Sequence, residues 1–161
     1  MTDLNELSVA ELLKLHSGIG EELRARGILR TGNNPVGDLA ELIFCRAFGW
    51  HQAGNSHRSI DAIGDDGSRI QIKGRRITRH NASRQLSAIR DLDGGHFDLL
   101  AAVLFDEDYK ILRAALIPRD TVVSRAKFIA HTNSHKFLLH DDVWGVFGVR
   151  DVTENLRQVR L

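Results

Sequence analysis

Within SIDAIGDDGSRIQIKGRR, residues 59–76, the carboxylate of Asp61 stands ten positions ahead of the triplet Gln71-Ile72-Lys73. A carboxylate, an amide and an ammonium together suit one kind of chemistry. Hydrolysis of a phosphodiester needs a hydroxide nucleophile and stabilisation of the charge that builds on the phosphoryl oxygens. A hard divalent cation in a shell of oxygen ligands supplies both. Asp61 can bind such an ion, magnesium or manganese, directly, with the Gln71 side-chain oxygen or the Ile72 carbonyl beside it. Glu41 can complete the shell through water from a facing helix, with Gly37 one turn earlier leaving room for the strand to approach. Lys73 then either orients the attacking water or neutralises the scissile phosphate. The plainer alternative for Lys73 is an exposed ion pair with Asp61, worth about 0 to 1 kcal/mol. What favours chemistry is the set Glu41, Asp61, Gln71 and Lys73 taken together, since any one of them alone is commonplace. Asp38 competes with Glu41, but an acid in the first turn of a helix also offsets the helix dipole, so Glu41 is the candidate.

Positioning these groups takes a helix and a hairpin. Asn34 followed by Pro35 opens a helix cleanly. The first caps free amides and the second sits where its missing N–H costs nothing; Gly49 stops the helix after Phe48. Period-two alternation predicts strands at residues 59–63 and 69–74, reversed by the GDDG at residues 64–67. A three-residue loop at 65–67 sets Asp61 opposite Gln71, and alternation then directs both to the side of Lys73. Any other loop length shifts that register.

The remaining elements frame this unit. Ser8 and Glu11 have capping-box spacing, and Leu12, Leu15, Ile19 and Leu23 come at helical intervals, predicting a helix over residues 8–26 that ends at Gly27. Gly18 and Gly20 each weaken its middle by roughly 1 kcal/mol relative to alanine. A short extended piece covers residues 50–53, and residues 82–92 read as a helix. The apolar runs 97–105 and 109–117, either side of an acidic DED turn, read as buried central strands. After Pro118 the pattern gives a helix to about residue 127, a strand near 136–140 and a last short helix at 152–160.

Formal charge is only +1, but it is unevenly spread. Between Gly67 and Arg90 lie seven cations, Arg69, Lys73, Arg75, Arg76, Arg79, Arg84 and Arg90, and no acid, while the rest of the chain holds 15 basic against 21 acidic residues. Segregation of this kind makes a local positive potential that attracts a polyanion. Arg75, Arg76, Arg79, His80 and Arg84 come directly after the candidate lysine and offer donors for phosphates and base edges. Four such cations on duplex phosphates give a slope of log affinity against log salt of about −3.6. The competing role for this strip is pairing with the acids at residues 106–108.

The order helix, three strands, helix, strand (αβββαβ), with the acid on the second strand and x-Ile-Lys on the third, resembles the PD-(D/E)XK nuclease superfamily over roughly residues 34–105. The resemblance implies the restriction-endonuclease-like α/β fold, a mixed central sheet flanked by helices. It sets the family's first-helix glutamate at Glu41, its metal-binding aspartate at Asp61 and its lysine at Lys73. Ile60 stands where the name-giving pattern has proline, and Gln71 where it asks for Asp or Glu. A Q-x-K triplet resembles the variant of Mrr-like restriction enzymes, and its amide brings no charge to the ion. The activity that the resemblance implies is that of a magnesium-dependent endonuclease acting on DNA, in restriction or defence. Cutting both strands of a duplex is most simply done by a homodimer. A binding module that keeps the fold and the basic strip without turnover, or a protein-interaction domain, are the alternatives, and RNA is an alternative substrate because phosphates do not reveal the sugar.

The 161 residues fit one domain with its own core, carrying the helix at 8–26 in front and a small extension at about 119–161 behind. No apolar run approaches the roughly 20 residues that cross a bilayer, and no leader pattern opens the chain, so no membrane association and a cytoplasmic location are expected. The single Cys45 excludes an internal disulfide and a paired-cysteine zinc site, and it reads as a packed thiol. His131 and His135 are four apart but lack further ligands. Trp50 and Trp144 read as packing residues, and no phosphate-binding glycine loop is present.

Overall fold

A computed structural model describes residues 3–54 and 59–161. It has a mixed α/β architecture, a central sheet flanked by helices. In chain order the elements are α1 (Val9–Ala25), α2 (Pro35–Phe48), β1 (His51–Gln52), β2 (Ala62–Ile63), β3 (Arg69–Arg76), β4 (Leu99–Phe105) and β5 (Ile111–Pro118). They continue with α3 (Arg119–Arg125), β6 (Lys127–Ile129), β7 (Ser134–Lys136), β8 (Arg150–Asp151) and α4 (Thr153–Arg157). The main sheet runs β1-β2-β3-β4-β5-β8, and β6 and β7 form a separate two-stranded ribbon. Among these neighbours β3 and β4 pair in parallel, and the others are antiparallel.

The apolar runs become β4 and β5 because both their faces are covered. Ala101, Val103, Phe105, Ala114 and Leu116 pack with Leu39, Ala40, Ile43 and Phe44 of α2 and with Val152 and Leu156 near the chain's end. On the other face Leu100, Leu104, Ala115 and Ile117 meet Leu86, Ile89, Phe97, Val122, Phe137 and Leu139. The residues after Pro118 thus supply core on both faces. Trp50 stacks with Phe48 at 4.9 Å between ring centroids, and the Trp144 indole N–H donates to the Ala114 carbonyl, so both tryptophans pack.

Local signals set α2 and the hairpin. The Asn34 side chain accepts from Val36 N–H, Pro35 occupies the first turn, and Gly49 ends the helix at a positive φ of 66°. In the hairpin, Ile63 pairs with Arg69 and Ala62 with Ile70, and Gly64 N–H donates to Ser68 O at 2.9 Å. This is the three-residue loop, but the ladder ends at Ala62–Ile70, and Asp61 N–H turns to Ile70 O instead of continuing the expected register to Gln71.

Two expectations need correction. Residues 82–92 are not a helix. Leu86, Ile89 and Leu92 are spaced as a helix would space them, and all three are buried, but the segment is extended and bonds to a distant stretch. Leu86 N–H donates to Phe137 O, Ile89 N–H to His135 O, and His135 N–H back to Ile89 O. Long-range pairing outweighed local period. The crossover from β3 to β4 therefore lacks the second helix of the αβββαβ order, and the strand expected near 136–140 sits at Ser134–Lys136. The second correction concerns the close approach of helix and strand. Gly37 has nothing within 4 Å of where a Cβ would stand, whereas at Gly74 that atom would meet Val36 Cγ1 at 2.9 Å and Ala40 Cβ and Val36 O at 3.0 Å. The glycine that lets α2 lie on the sheet is on the strand.

Gly74→Ala should therefore overpack the α2–β3 contact and destabilise the fold by about 1–3 kcal/mol, read as a lower urea midpoint. Gly37→Ala should leave that midpoint unchanged or raise it, because alanine in a helix is better than glycine by roughly 1 kcal/mol.

Candidate active site

β2 is too short to cover β3. It pairs with Arg69 and Ile70 only, so from Ile72 onward the outer edge of β3 has no strand partner among the described residues. Asp61, just before β2, fills the first gap. Its N–H donates to Ile70 O at 2.8 Å, and its Oδ2 accepts from Ile72 N–H at 2.6 Å. A residue's N–H and C=O point to the same side of a strand, so the Ile72 carbonyl looks toward this open edge as well.

One cleft of about 600 Å³ runs along that edge and is lined by Glu41, Asp61, Ile72 and Lys73 together with Arg75 and Arg76. A smaller one of about 280 Å³ shares Glu41 and Asp61 and adds Arg30, Thr31 and Asp38. Lys73 reaches the cleft from the face of β3 opposite to that of Ile70 and Ile72, which pack under α2. Glu41 comes from α2. No ion pair within 4.0 Å joins Lys73 to Asp61, so the plain salt bridge does not form. Gln71, two residues before Lys73 on β3, is buried at 7% exposure, and among the described residues its Oε1 has no hydrogen-bond partner. Such an orphaned acceptor is costly unless something else meets it.

Asp38 has other work. Its Oδ2 accepts from Arg30 N–H at 2.9 Å, Thr31 N–H at 2.8 Å and Thr31 Oγ1 at 3.0 Å, tying the loop before α2 in place. That loop delivers a residue that sequence reasoning missed: Arg30 Nη1 lies 3.3 Å from Glu41 Oε2. Nothing local marks it, since it lies eleven positions before Glu41 in an irregular segment.

Electrostatics reflect this crowding. Burial first, and the neighbouring Asp61 charge second, push the Glu41 carboxyl up to about 7, against the smaller opposing pull of Arg30. Burial also raises Asp61, opposed by the Ile72 amide and by Lys73. Lys73 is lowered, again mainly by burial, with Asp61 and Glu41 pulling the other way. Burial raises the nearby Cys45 thiol to about 11, which keeps it protonated and unreactive.

Among the described residues no three His, Cys, Asp or Glu side chains form a metal-holding group. The groups that could hold a magnesium ion are Asp61 and Glu41, which line both clefts, with the Ile72 carbonyl at the open edge. Magnesium needs only one or two carboxylates and keeps several waters. Two partly buried carboxylates, the charge of Asp61 raising Glu41, thus face one cleft.

The basic strip divides in two. Arg84 is held by Asp141 at 2.7 Å and Arg69 by Asp98 at 2.7 Å. Arg75 donates to Ser83 O at 2.9 Å and Arg76 to Glu107 O at 3.0 Å, with Arg76 also 4.5 Å from the centre of the Tyr109 ring. These bonds to neutral carbonyls aim the guanidiniums without cancelling their charge. Pairing with the acidic side chains of residues 106–108 does not occur among the described residues. Arg79 and His80 sit exposed at the tip of a tight turn closed by Thr78 and Asn81, whose amides bond to each other's carbonyls at 3.0 and 3.1 Å.

No family model and no curated protein matches the chain. Among the described residues no helix is long and apolar enough to cross a membrane.

The folded chain holds a proton on Glu41 up to about 7, while an unfolded glutamate releases it near 4.5. Between those values the folded state binds more protons, so stability falls as pH rises through the window, and Asp61 adds to the same slope. Glu41→Gln removes its own share. In urea titrations with a chelator, the stability lost between about pH 5 and about pH 8 should shrink by about 1–3 kcal/mol after allowing for partial exposure. Equal losses in variant and parent would contradict the assignment.

Proposed function

We propose that the protein is a metal-dependent endonuclease that hydrolyses DNA phosphodiester bonds, a restriction-endonuclease-like enzyme of the PD-(D/E)XK kind with a Q-x-K triplet. The observation that carries this is the convergence of Glu41, Asp61 and Lys73 on one open cleft whose floor continues into Arg75 and Arg76. Bound between Asp61 and the Ile72 carbonyl, a magnesium or manganese ion would lower the pKa of a water and offset charge on the phosphoryl oxygens.

The chain's own groups do the rest. Asp61 is held rigid by the Ile72 amide, so its free oxygen is aimed before any ligand arrives. Lys73, outside any tight ion pair with Asp61, either faces the scissile phosphate as a point charge or fixes the attacking water. Glu41, on the other side of the cleft from Lys73, would accept or return the proton of that water as a carboxylate that the ion's charge keeps ionised. Arg75 and Arg76 lie along the same cleft and seat the backbone on one side of the cut. A two-fold pair of such clefts would address both strands of a duplex.

A DNA-binding module without turnover is the second reading. It is favoured by the amide of Gln71 standing where a charged ligand is expected and by the absence, among the described residues, of a three-membered acidic or histidine group.

Supercoiled plasmid, together with modified and phage DNAs, separates the two. The nuclease should cut at least one with magnesium or manganese and none with chelator, and Asp61→Ala and Lys73→Ala should each lose about 100-fold or more in rate. Cutting that survives both substitutions overturns the site. No cutting of any DNA, with binding indifferent to chelator, supports the module. Binding should also report the strip. With Arg84 held by Asp141, three arginines on phosphates, Arg75, Arg76 and Arg79, give a slope against log salt of about −2.7, and Arg76→Ala should reduce it to about −1.8.

A further inference from the structure

α1 buries none of its own residues, although it carries an apolar stripe. Leu15 is 40% and Ile19 51% exposed, and a 17-residue helix gains most of its stability from packing such a stripe. A shallow groove runs along this face, with Leu15, Gly18, Ile19 and Leu23 in its floor. Its edges carry charge in a definite order, Glu11 and Lys14 at one end and Glu22 and Arg26 at the other.

We propose that a second copy of this chain covers the groove, α1 against α1, antiparallel about a two-fold axis near Gly18 and Ile19. The charge order selects this occupant and this direction. Parallel, in-register packing would set each of the four charges beside its own kind. Turned end for end, Glu11 lies by the partner's Arg26 and Lys14 by the partner's Glu22, and the midpoint of each pair falls at Gly18–Ile19. The apolar residues give the same centre, because Leu15 meets the partner's Leu23 about Ile19. Three pairs whose midpoints, 18, 18.5 and 19, fall within one residue of a single axis are what a self-complementary, isologous surface requires.

Gly18 fits the crossing point. A Cβ there would meet nothing within 4 Å, so the backbone is bare where two helices at about 8–10 Å separation come closest. Gly18, which weakens an isolated helix, is thereby given a role. Glu11 already serves the capping box with Ser8, and Arg26 already bonds its own Glu22 at 2.7 Å. The interchain charges therefore set direction and register, and the apolar floor supplies the affinity. A helix about 26 Å long presents less than the roughly 1,600 Å² of a standard interface, which places the dissociation constant at about 1–100 µM.

This inference stands on α1 alone, and its test reads no cleavage, so it and the nuclease reading fail separately. Sedimentation of the full chain from about 1 to 200 µM should pass from monomer to dimer. Ile19→Glu, at an exposed position that leaves circular dichroism unchanged, should weaken association by at least about tenfold. For direction, Lys14→Cys and Glu22→Cys are each made in a Cys45→Ala background and oxidised alone or mixed. The antiparallel pair links the mixture faster than either variant by itself. A parent that stays monomeric throughout, a dimer indifferent to Ile19→Glu, or faster linking of each variant to itself overturns the proposal.

Discussion

The hydrogen bond from Ile72 N–H to the Asp61 carboxylate, 2.6 Å long, is the contact on which the site depends. It exists because β2 spans only Ala62 and Ile63 while β3 runs on to Arg76. A side chain occupies the place of the next strand residue, which fixes Asp61 by a charge-assisted bond at a point where the ladder would otherwise fray. The same shortfall opens the edge of β3. Groups from both faces of the sheet can meet there, Glu41 from the α2 side and Lys73 from the other. A longer β2 would have made a better sheet and no cleft.

Having brought acids together in a half-buried place, the fold has to keep them tolerable. Arg30 takes part of the Glu41 charge, and Lys73 takes part of both without closing into a tight pair with Asp61. Burial, together with the Asp61 charge, outweighs this compensation, which is why Glu41 keeps its proton to about 7. Elsewhere acids are more fully answered. Asp141 is shared by Arg84 and Arg113, and Asp98 by the backbone and side chain of Arg69. Unanswered charge thus gathers in the cleft and on the arginines beyond it.

Legibility in the sequence tracked the distance over which each feature is decided. The hairpin and α2 are written locally, by a three-residue loop with Gly67 and by Asn34, Pro35 and Gly49, and so Asp61, Lys73 and Glu41, which line one cleft, could be brought together from residue types alone. The crossover could not. Leu86 and Ile89 fit a helical period equally well, and only His135 and Phe137, some fifty residues on, decide for extended chain. Arg30 was invisible for a related reason, being delivered by the Asp38 carboxylate rather than by any periodic element. In α1 the pattern gave the helix with its capping box, but no pattern within one chain says whether an apolar stripe is covered by that chain.

The bonds between the crossover and residues 135–139 tie Arg84 to a stretch some fifty residues further along the chain. The segment that presents Arg84 has no regular helix or strand to hold it by itself, and its amides close on that distant stretch. The hairpin and α2 are set by local signals, while the crossover is ordered by bonds to those distant residues. Loosening residues 135–139 would therefore free the crossover and Arg84 with it, while Arg75 and Arg76 stay fixed by the pairing of β3 with β4.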